Sequence, residues 1–381
     1  MGLDDVLSNA VAQRNLPFVV AMTANSAGVQ YSGAAGEATP RKAASEDTVF
    51  RIYSMTKAVG SVAAMILIDR GKLHFDTPVA EVLPEFAQIK VLEGFDGDKP
   101  VLRDPRAQAT VRHLATHTSG LEYDIWNADV AKYLEVSKTP RVLSGLKASL
   151  FCPMTTDPGT RWGYGFGIDW LGRIVEEVDG RRIDAFVHDE ILTPLGMTST
   201  AFELDEAMTS RLCQVSARGD DGLFTPIDMA PPSSPEFYGM GHSLYSTAPD
   251  YLRFLRMVLG KGVLDGVRIL SEKAVSDMTA DHLQGLIFKR MVTVTPSVTM
   301  DVDLFPGTRV THSFAFLRNE EDIPGRRKAG SLGWAGICNT HYWIDPANDK
   351  AAVIMTQSLP FVEPRFMQTY EAFERAVYEN A

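Results

Sequence analysis

The sequence is expected to fold as an α/β protein of the α+β kind. Its strands, drawn from both ends of the chain, form an antiparallel sheet flanked by helices, and a mainly helical region is inserted between them. Three observations point there. Strand-like stretches gather in the first 53 residues and again after residue 310. No helical pattern long enough for a crossover separates the early ones, so they pair antiparallel. Between the two groups, from about residue 76, short helical patterns alternate with Pro and Gly breakers. The expected division assigns residues 1–75 and 260–381 to the α/β part and 76–259 to the inserted part.

Taken in order, residues 3–13 read as an amphipathic helix, with Leu3, Val6, Leu7 and Ala10 on one stripe. Residues 18–22 and 29–31 read as strands joined at Asn25-Ser26-Ala27-Gly28, and residues 49–53 as a third strand that delivers Ser54. A helix then runs from Ser54 to about Gly71. Its stretch 62–68 is apolar on every side, which marks it as buried. Asp157-Pro158-Gly159 ends the first part of the insertion. Arg161 to Gly167 follows as a glycine-rich loop before a helix with Ile168, Leu171, Val175 and Val178 at helical spacing. Gly239-Met240-Gly241-His242-Ser243 is a second flexible loop, leading into a helix over 249–259. Strands are expected over 310–316, 337–344 and 351–356, with a turn at Asp345-Pro346-Ala347-Asn348-Asp349 and a closing helix over 363–378.

With 381 residues and 45% hydrophobic content the chain can bury a substantial core. A net charge of -11 without a basic cluster argues against nucleic acid or an anionic membrane as partner. Cys152, Cys213 and Cys338 are too widely spaced for a disulfide framework or zinc motif, and fit the reducing cytoplasm. Asp4 and Asp5 stand where a secretory signal needs base, and no apolar run is long enough to span a bilayer. His113 and His117 have metal-ligand spacing, but the glutamate of a zinc-protease motif is missing and Thr118-Ser119-Gly120 breaks the helix, so no metal is expected.

The pattern Ser-x-x-Lys occurs at Ser54-Met55-Thr56-Lys57 and again at Ser144-Gly145-Leu146-Lys147. Only the first follows a strand and opens a buried helix. There the helix N-terminus favours an oxyanion, and Lys57, one turn on, can share a proton with Ser54. The bland alternative is an N-cap serine with a solvated lysine. A lysine in the first turn of a buried helix is poorly placed for that role.

Three blocks then stand in a recognisable order: Ser54-Met55-Thr56-Lys57, Tyr164-Gly165-Phe166 and Trp334-Ala335-Gly336. The chain resembles the serine β-lactamase and penicillin-binding protein superfamily, specifically the class C β-lactamase-like family VIII carboxylesterases. Similar surrounding stretches include His113 to Leu121, Pro158 to Trp162, Pro194-Leu195-Gly196-Met197 and Leu244 to Thr247. The resemblance implies a β-lactamase-like fold with its site in the cleft between the two parts. It further implies Ser54 as nucleophile, Lys57 and Tyr164 as the base, and an oxyanion hole from the backbone N–H groups of Ser54 and Ile337. Free lysine and tyrosine both titrate near ~10, so the pair must share a proton in a desolvated site to act as a base. No cofactor is implied.

Departures from the family pattern bear on the substrate. Penicillin-hydrolysing relatives have Tyr-x-Asn and Lys-Thr-Gly, whereas this chain has Phe166 and Trp334 at those places. An amide donor and a cationic anchor for the β-lactam carboxylate are both absent, while Trp334, Ala335 and Gly336 suit an apolar acyl or alcohol group. Phe166, Tyr123, Trp126 and His242 are the other expected lining residues; Tyr123 and Trp126 fit the ordinary core equally well, and any chemical role for His242 stays open. The reading is a serine carboxylesterase for short-chain or small aromatic esters, its partner a small-molecule ester. An acyltransferase, a weak β-lactamase or peptidase, and a non-catalytic binding protein are the alternatives. Oligomeric state is not legible.

Overall fold

The computed structural model describes residues 2–379. An antiparallel sheet dominates it. Its strands are β1 (Phe18–Ala24), β2 (Val29–Thr39), β3 (Lys42–Ala43), β4 (Val310–His312), β5 (Leu317–Asn319), β6 (Leu332–Gly336), β7 (Thr340–Asp345) and β8 (Lys350–Met355). They lie in the order β4-β5-β6-β7-β8-β1-β2-β3. The two ends of the chain meet where β1 pairs with β8, Val20 opposite Met355.

Both faces of this sheet are covered, so its central strands read as apolar runs rather than as an alternation. Helices α1 (Leu3–Ala12) and α5 (Pro364–Glu379) bury one face, where Leu7, Phe366 and Phe373 meet Val19, Ala21, Trp343 and Ile354. On the other face α4 (Ala248–Leu259) lies on β1, β7 and β8. The same core takes in Val20, Met22 and Val353 together with helix α2 (Thr56–Asp69). Helix α3 (Gly167–Asp179) packs along α2 from the far side. Every residue of α2 from Thr56 to Leu67 is buried, as its all-round apolar composition requires. No helix among the described residues is long and apolar enough to cross a membrane.

Several sequence expectations change here. The strand expected over 49–53 shrinks to Phe50–Arg51 and leaves the main sheet, pairing instead with Tyr245–Ser246. Ile52, at φ -83° and ψ -7°, and Tyr53, at a φ of 41°, end it, because neither conformation continues a strand. Ser54 therefore sits in a 3-10 turn, Tyr53–Met55, one turn ahead of α2 rather than inside it. The strand expected over 337–344 begins only at Thr340, as β7; residues 337–339 are the turn that joins it to β6, with Asn339 at a φ of 63°. The region 76–259 carries hairpins as well as helices, Val91–Asp96 with Lys99–Arg103 and Val215–Arg218 with Phe224–Ile227. Its last helix, α4, is the one lying on the sheet.

Candidate active site

The turn carrying Ser54 is pinned on both sides. Tyr53, 3% exposed, packs its ring among Val215, Cys338 and Leu359, and its hydroxyl donates to the Met229 carbonyl at 3.1 Å. An aromatic residue at positive φ costs about 1–3 kcal/mol and persists only where its surroundings hold it. On the other side the Tyr251 hydroxyl donates to the Met55 carbonyl at 2.8 Å. The end of β6 closes in beneath: a Cβ on Gly336 would lie 2.3 Å from the Ile52 carbonyl oxygen, so glycine is required there. That approach sets Ile337 beside the serine turn, and both line the same cleft.

Lys57 is 5% exposed, and all three donors of an ammonium group have acceptors. Its Nζ donates to Ser54 Oγ at 3.0 Å, to the Tyr123 hydroxyl at 3.0 Å and to the Gly241 carbonyl at 2.9 Å. The rings of Tyr123 and Tyr164 stand 5.0 and 4.9 Å from the same nitrogen, adding cation–π attraction. A buried charge is tolerated when it is this fully engaged.

The two tyrosines differ in their partners. Tyr164 presents its ring to Lys57, and its hydroxyl accepts a hydrogen bond from Trp334 Nε1 at 3.0 Å. Tyr123 is the one whose hydroxyl meets the lysine. Its phenol is pushed well above the usual range, first by burial and then by the nearby Asp169 carboxylate. The two segments are tied together, since Tyr123 N–H donates to the Tyr164 carbonyl at 3.2 Å. Below them, Glu122 accepts from Arg161 and from Asn127 Nδ2. His117 lies edge-on to Tyr164 with ring centroids 4.8 Å apart, and its Nδ1 accepts from Gly165 N–H at 3.5 Å, so it buttresses that loop. His113 instead accepts from Thr110 N–H.

Above Ser54 opens a cleft of about 940 Å³, its mouth included. Trp126, Val142, Leu143, Met229, Val298 and Phe361 give it a mostly apolar wall. The cation on its rim, Arg141, is paired with Asp124 at 2.9 Å. His242 also lines the cleft; burial, then the neighbouring Lys57, hold its imidazole down to about 3, so it is neutral.

Of the residues singled out in the sequence, Ser54, Lys57, Tyr123, Tyr164, Trp126, His242, Trp334, Ala335 and Ile337 converge on this cleft. Two do not reach its wall. Phe166 caps the start of α3 behind Tyr123, their ring centroids 6.2 Å apart, and Gly336 faces Ile52. Ser144 is far from this arrangement in kind: Lys147 is exposed, with its N–H on Glu236. Asp169 was missed, since one acid on an amphipathic helix carries no mark in sequence. Tyr123 reads in the sequence as either a wall or a core residue, because its contact with Lys57 spans 66 positions.

The Trp334–Tyr164 bond yields an expected result. Replacing Trp334 by Phe keeps an apolar wall but removes the donor to the phenol oxygen. On the expectation that Tyr164 is part of the base of an ester-cleaving site, turnover of a nitrophenyl ester should fall about 10-fold or more, the scale of a hydrogen bond to an oxygen that gains charge, with KM little changed. An equal rise in KM at constant kcat would assign Trp334 to substrate binding alone.

A model of the beta-lactamase family matches residues 3–376. The chain belongs to the beta-lactamase family. Within it, the chain is 29% identical over 358 residues to the lovastatin esterase of Penicillium rubens, covering 91% of this chain and 88% of that protein. It is 27% identical over 401 residues to monacolin J acid methylbutanoyltransferase of Aspergillus terreus, with coverages of 99% and 95%. Among solved structures, unliganded simvastatin synthase from Aspergillus terreus superposes with a TM-score of 0.84 at 26% identity, covering 99% of this chain and 97% of that one. This beta-lactamase-family chain thus has the β-lactamase-like fold, among serine hydrolases and acyltransferases.

Proposed function

We propose that the protein is a serine carboxylesterase of the family VIII kind, hydrolysing short-chain or small aromatic esters through an acyl-Ser54 intermediate. The observation that carries this reading is the 3.0 Å contact of Lys57 Nζ with Ser54 Oγ at the floor of an apolar cleft. With the Lys57 and Tyr164 pair short of one proton, as ammonium with phenolate or amine with phenol, Ser54 Oγ attacks the ester carbonyl and passes its proton to that pair. The oxyanion is held by the N–H groups of Ser54 and Ile337, and the same pair then protonates the leaving alcohol and activates water. The division 1–75 with 260–381 against 76–259 suits this reading. Ser54, Lys57 and Trp334 come from the first set, Tyr123, Tyr164 and His242 from the second. Trp334 in place of a lysine disfavours a β-lactam carboxylate as the anchor. Three buried, unpaired cysteines suit a cytoplasmic setting.

Acyl transfer to an alcohol is the second reading, favoured by the similarity to the methylbutanoyltransferase over nearly the whole of both chains. The two readings share the acyl-enzyme and diverge on what attacks it. A serine-directed fluorophosphonate should add one equivalent to Ser54 by intact mass; no adduct would leave the non-catalytic binding protein. Product analysis of a nitrophenyl ester with a competing alcohol then separates the readings. Free acid as the main product supports the esterase, and transferred ester supports the acyltransferase.

A further inference from the structure

Asp169, on α3, is a carboxylate inside the core, 1% exposed, with no cation among the described residues in hydrogen-bonding contact. Its Oδ1 accepts the Gly241 N–H at 2.7 Å, and its Oδ2 is buried without a partner among the described residues. Such a group costs several kcal/mol of desolvation, so it needs a reason to be there.

The loop it holds is wedged in place. Met240, fully buried, inserts between α2 and α3: a Cβ on Gly60 would lie 2.7 Å from Met240 Cβ, and one on Gly172 would lie 2.8 Å from its Cγ. The next residue, Gly241, receives Asp169 on its N–H and offers its carbonyl to Lys57 Nζ at 2.9 Å. A Cβ on Gly241 would fall 2.8 Å from the Tyr123 hydroxyl and 3.0 and 3.1 Å from the two carboxylate oxygens. Glycine is thus what allows the acid, the tyrosine and the lysine to gather round one residue.

We propose that Asp169 is the positioning residue of Lys57, holding the Gly241 carbonyl on the lysine nitrogen and supplying the negative charge that keeps Lys57 directed at Ser54. The proposal rests on the reading of Ser54 as an acyl-transfer nucleophile. Facing the carboxylate are Lys57 from α2, Tyr123 from the segment before α3, and His242 from the loop. Burial raises the Asp169 carboxyl to about 6, against the opposing pull of Lys57 and the Gly241 N–H. It is therefore charged above that pH and neutral below it. His242, held down to about 3, does not titrate in the same range.

The test is Asp169→Asn, which keeps an oxygen for the Gly241 N–H and removes the charge. The wild-type protein should lose kcat/KM for a nitrophenyl ester as pH falls through about 6. The variant should lack that inflection and run about 10- to 100-fold slower in kcat above it, with KM unchanged, the scale of one charge-assisted contact. A variant that keeps the wild-type inflection and rate overturns the proposal. Should the variant not fold, the Lys57 ε-carbon NMR shift of the wild-type protein must move through the same transition, and a flat signal overturns it equally. Fluorophosphonate labelling keeps the two failures apart. An unlabelled wild-type protein refutes the acyl-transfer reading, whereas a labelled one indifferent to Asp169 refutes this inference alone.

Discussion

Ser54→Ala is expected to abolish ester hydrolysis, with a fall of about 10⁴- to 10⁶-fold in kcat, the range seen when a serine nucleophile is removed. Stability should change little. Ser54 Oγ is one of three acceptors of Lys57, so its loss leaves the lysine with the Tyr123 hydroxyl, the Gly241 carbonyl and two ring faces. The turn itself is held by Tyr53 and by the Tyr251 bond to Met55, neither of which involves the serine side chain. Thermal melting within a few degrees of wild type, together with loss of both turnover and phosphonate labelling, is the expected pair of results. Ser144→Ala is the matched control. It alters the second Ser-x-x-Lys where the lysine is exposed, and should leave turnover unchanged. Full residual activity in Ser54→Ala would remove the assignment.

How much of this was legible in the sequence follows from how local each feature is. The pairing of Ser54 with Lys57 spans three positions, so helical spacing was enough to suggest it, and buried composition distinguished it from its copy at Ser144. The opening helix α1 and the helix α3 followed from their stripes for the same reason. What failed was partner choice. The stretch 49–53 has strand composition, yet nothing within it says that Phe50–Arg51 pairs with Tyr245–Ser246 instead of with β2. Nor does the composition of 337–344 announce that Asn339 adopts positive φ and divides β6 from β7. In the site the same limit applies. Tyr164 and Trp334 were found as members of a pattern, but the bond between them, across 170 positions, is visible only once the strand and the loop face each other. Asp169 has no pattern at all; its meaning comes from a glycine loop more than seventy residues later.

The two tyrosines around Lys57 can be told apart by one oxygen atom each. Tyr164→Phe is expected to slow acylation by about 10²- to 10⁴-fold, the usual contribution of a positioned general base. Tyr123→Phe should cost only about 10-fold, the scale of one hydrogen bond to a charged group. Geometry alone favours the opposite order, since it is the Tyr123 hydroxyl that accepts from Lys57. Electrostatics decides against it. Removing a proton from Tyr123 would create a second negative charge near Asp169 in a buried setting, and both effects hold its phenol well above the usual range. Tyr164 has the Trp334 N–H aimed at its oxygen, a donor already in place for negative charge arriving there. It also lines the cleft that holds Ser54. Burst kinetics with a nitrophenyl ester measure acylation separately from deacylation, so each variant can be read at the step that matters. Should Tyr123→Phe prove the slower enzyme in that burst, the proton of Ser54 leaves through Lys57 to Tyr123, and Tyr164 with Trp334 becomes a wall of the cleft.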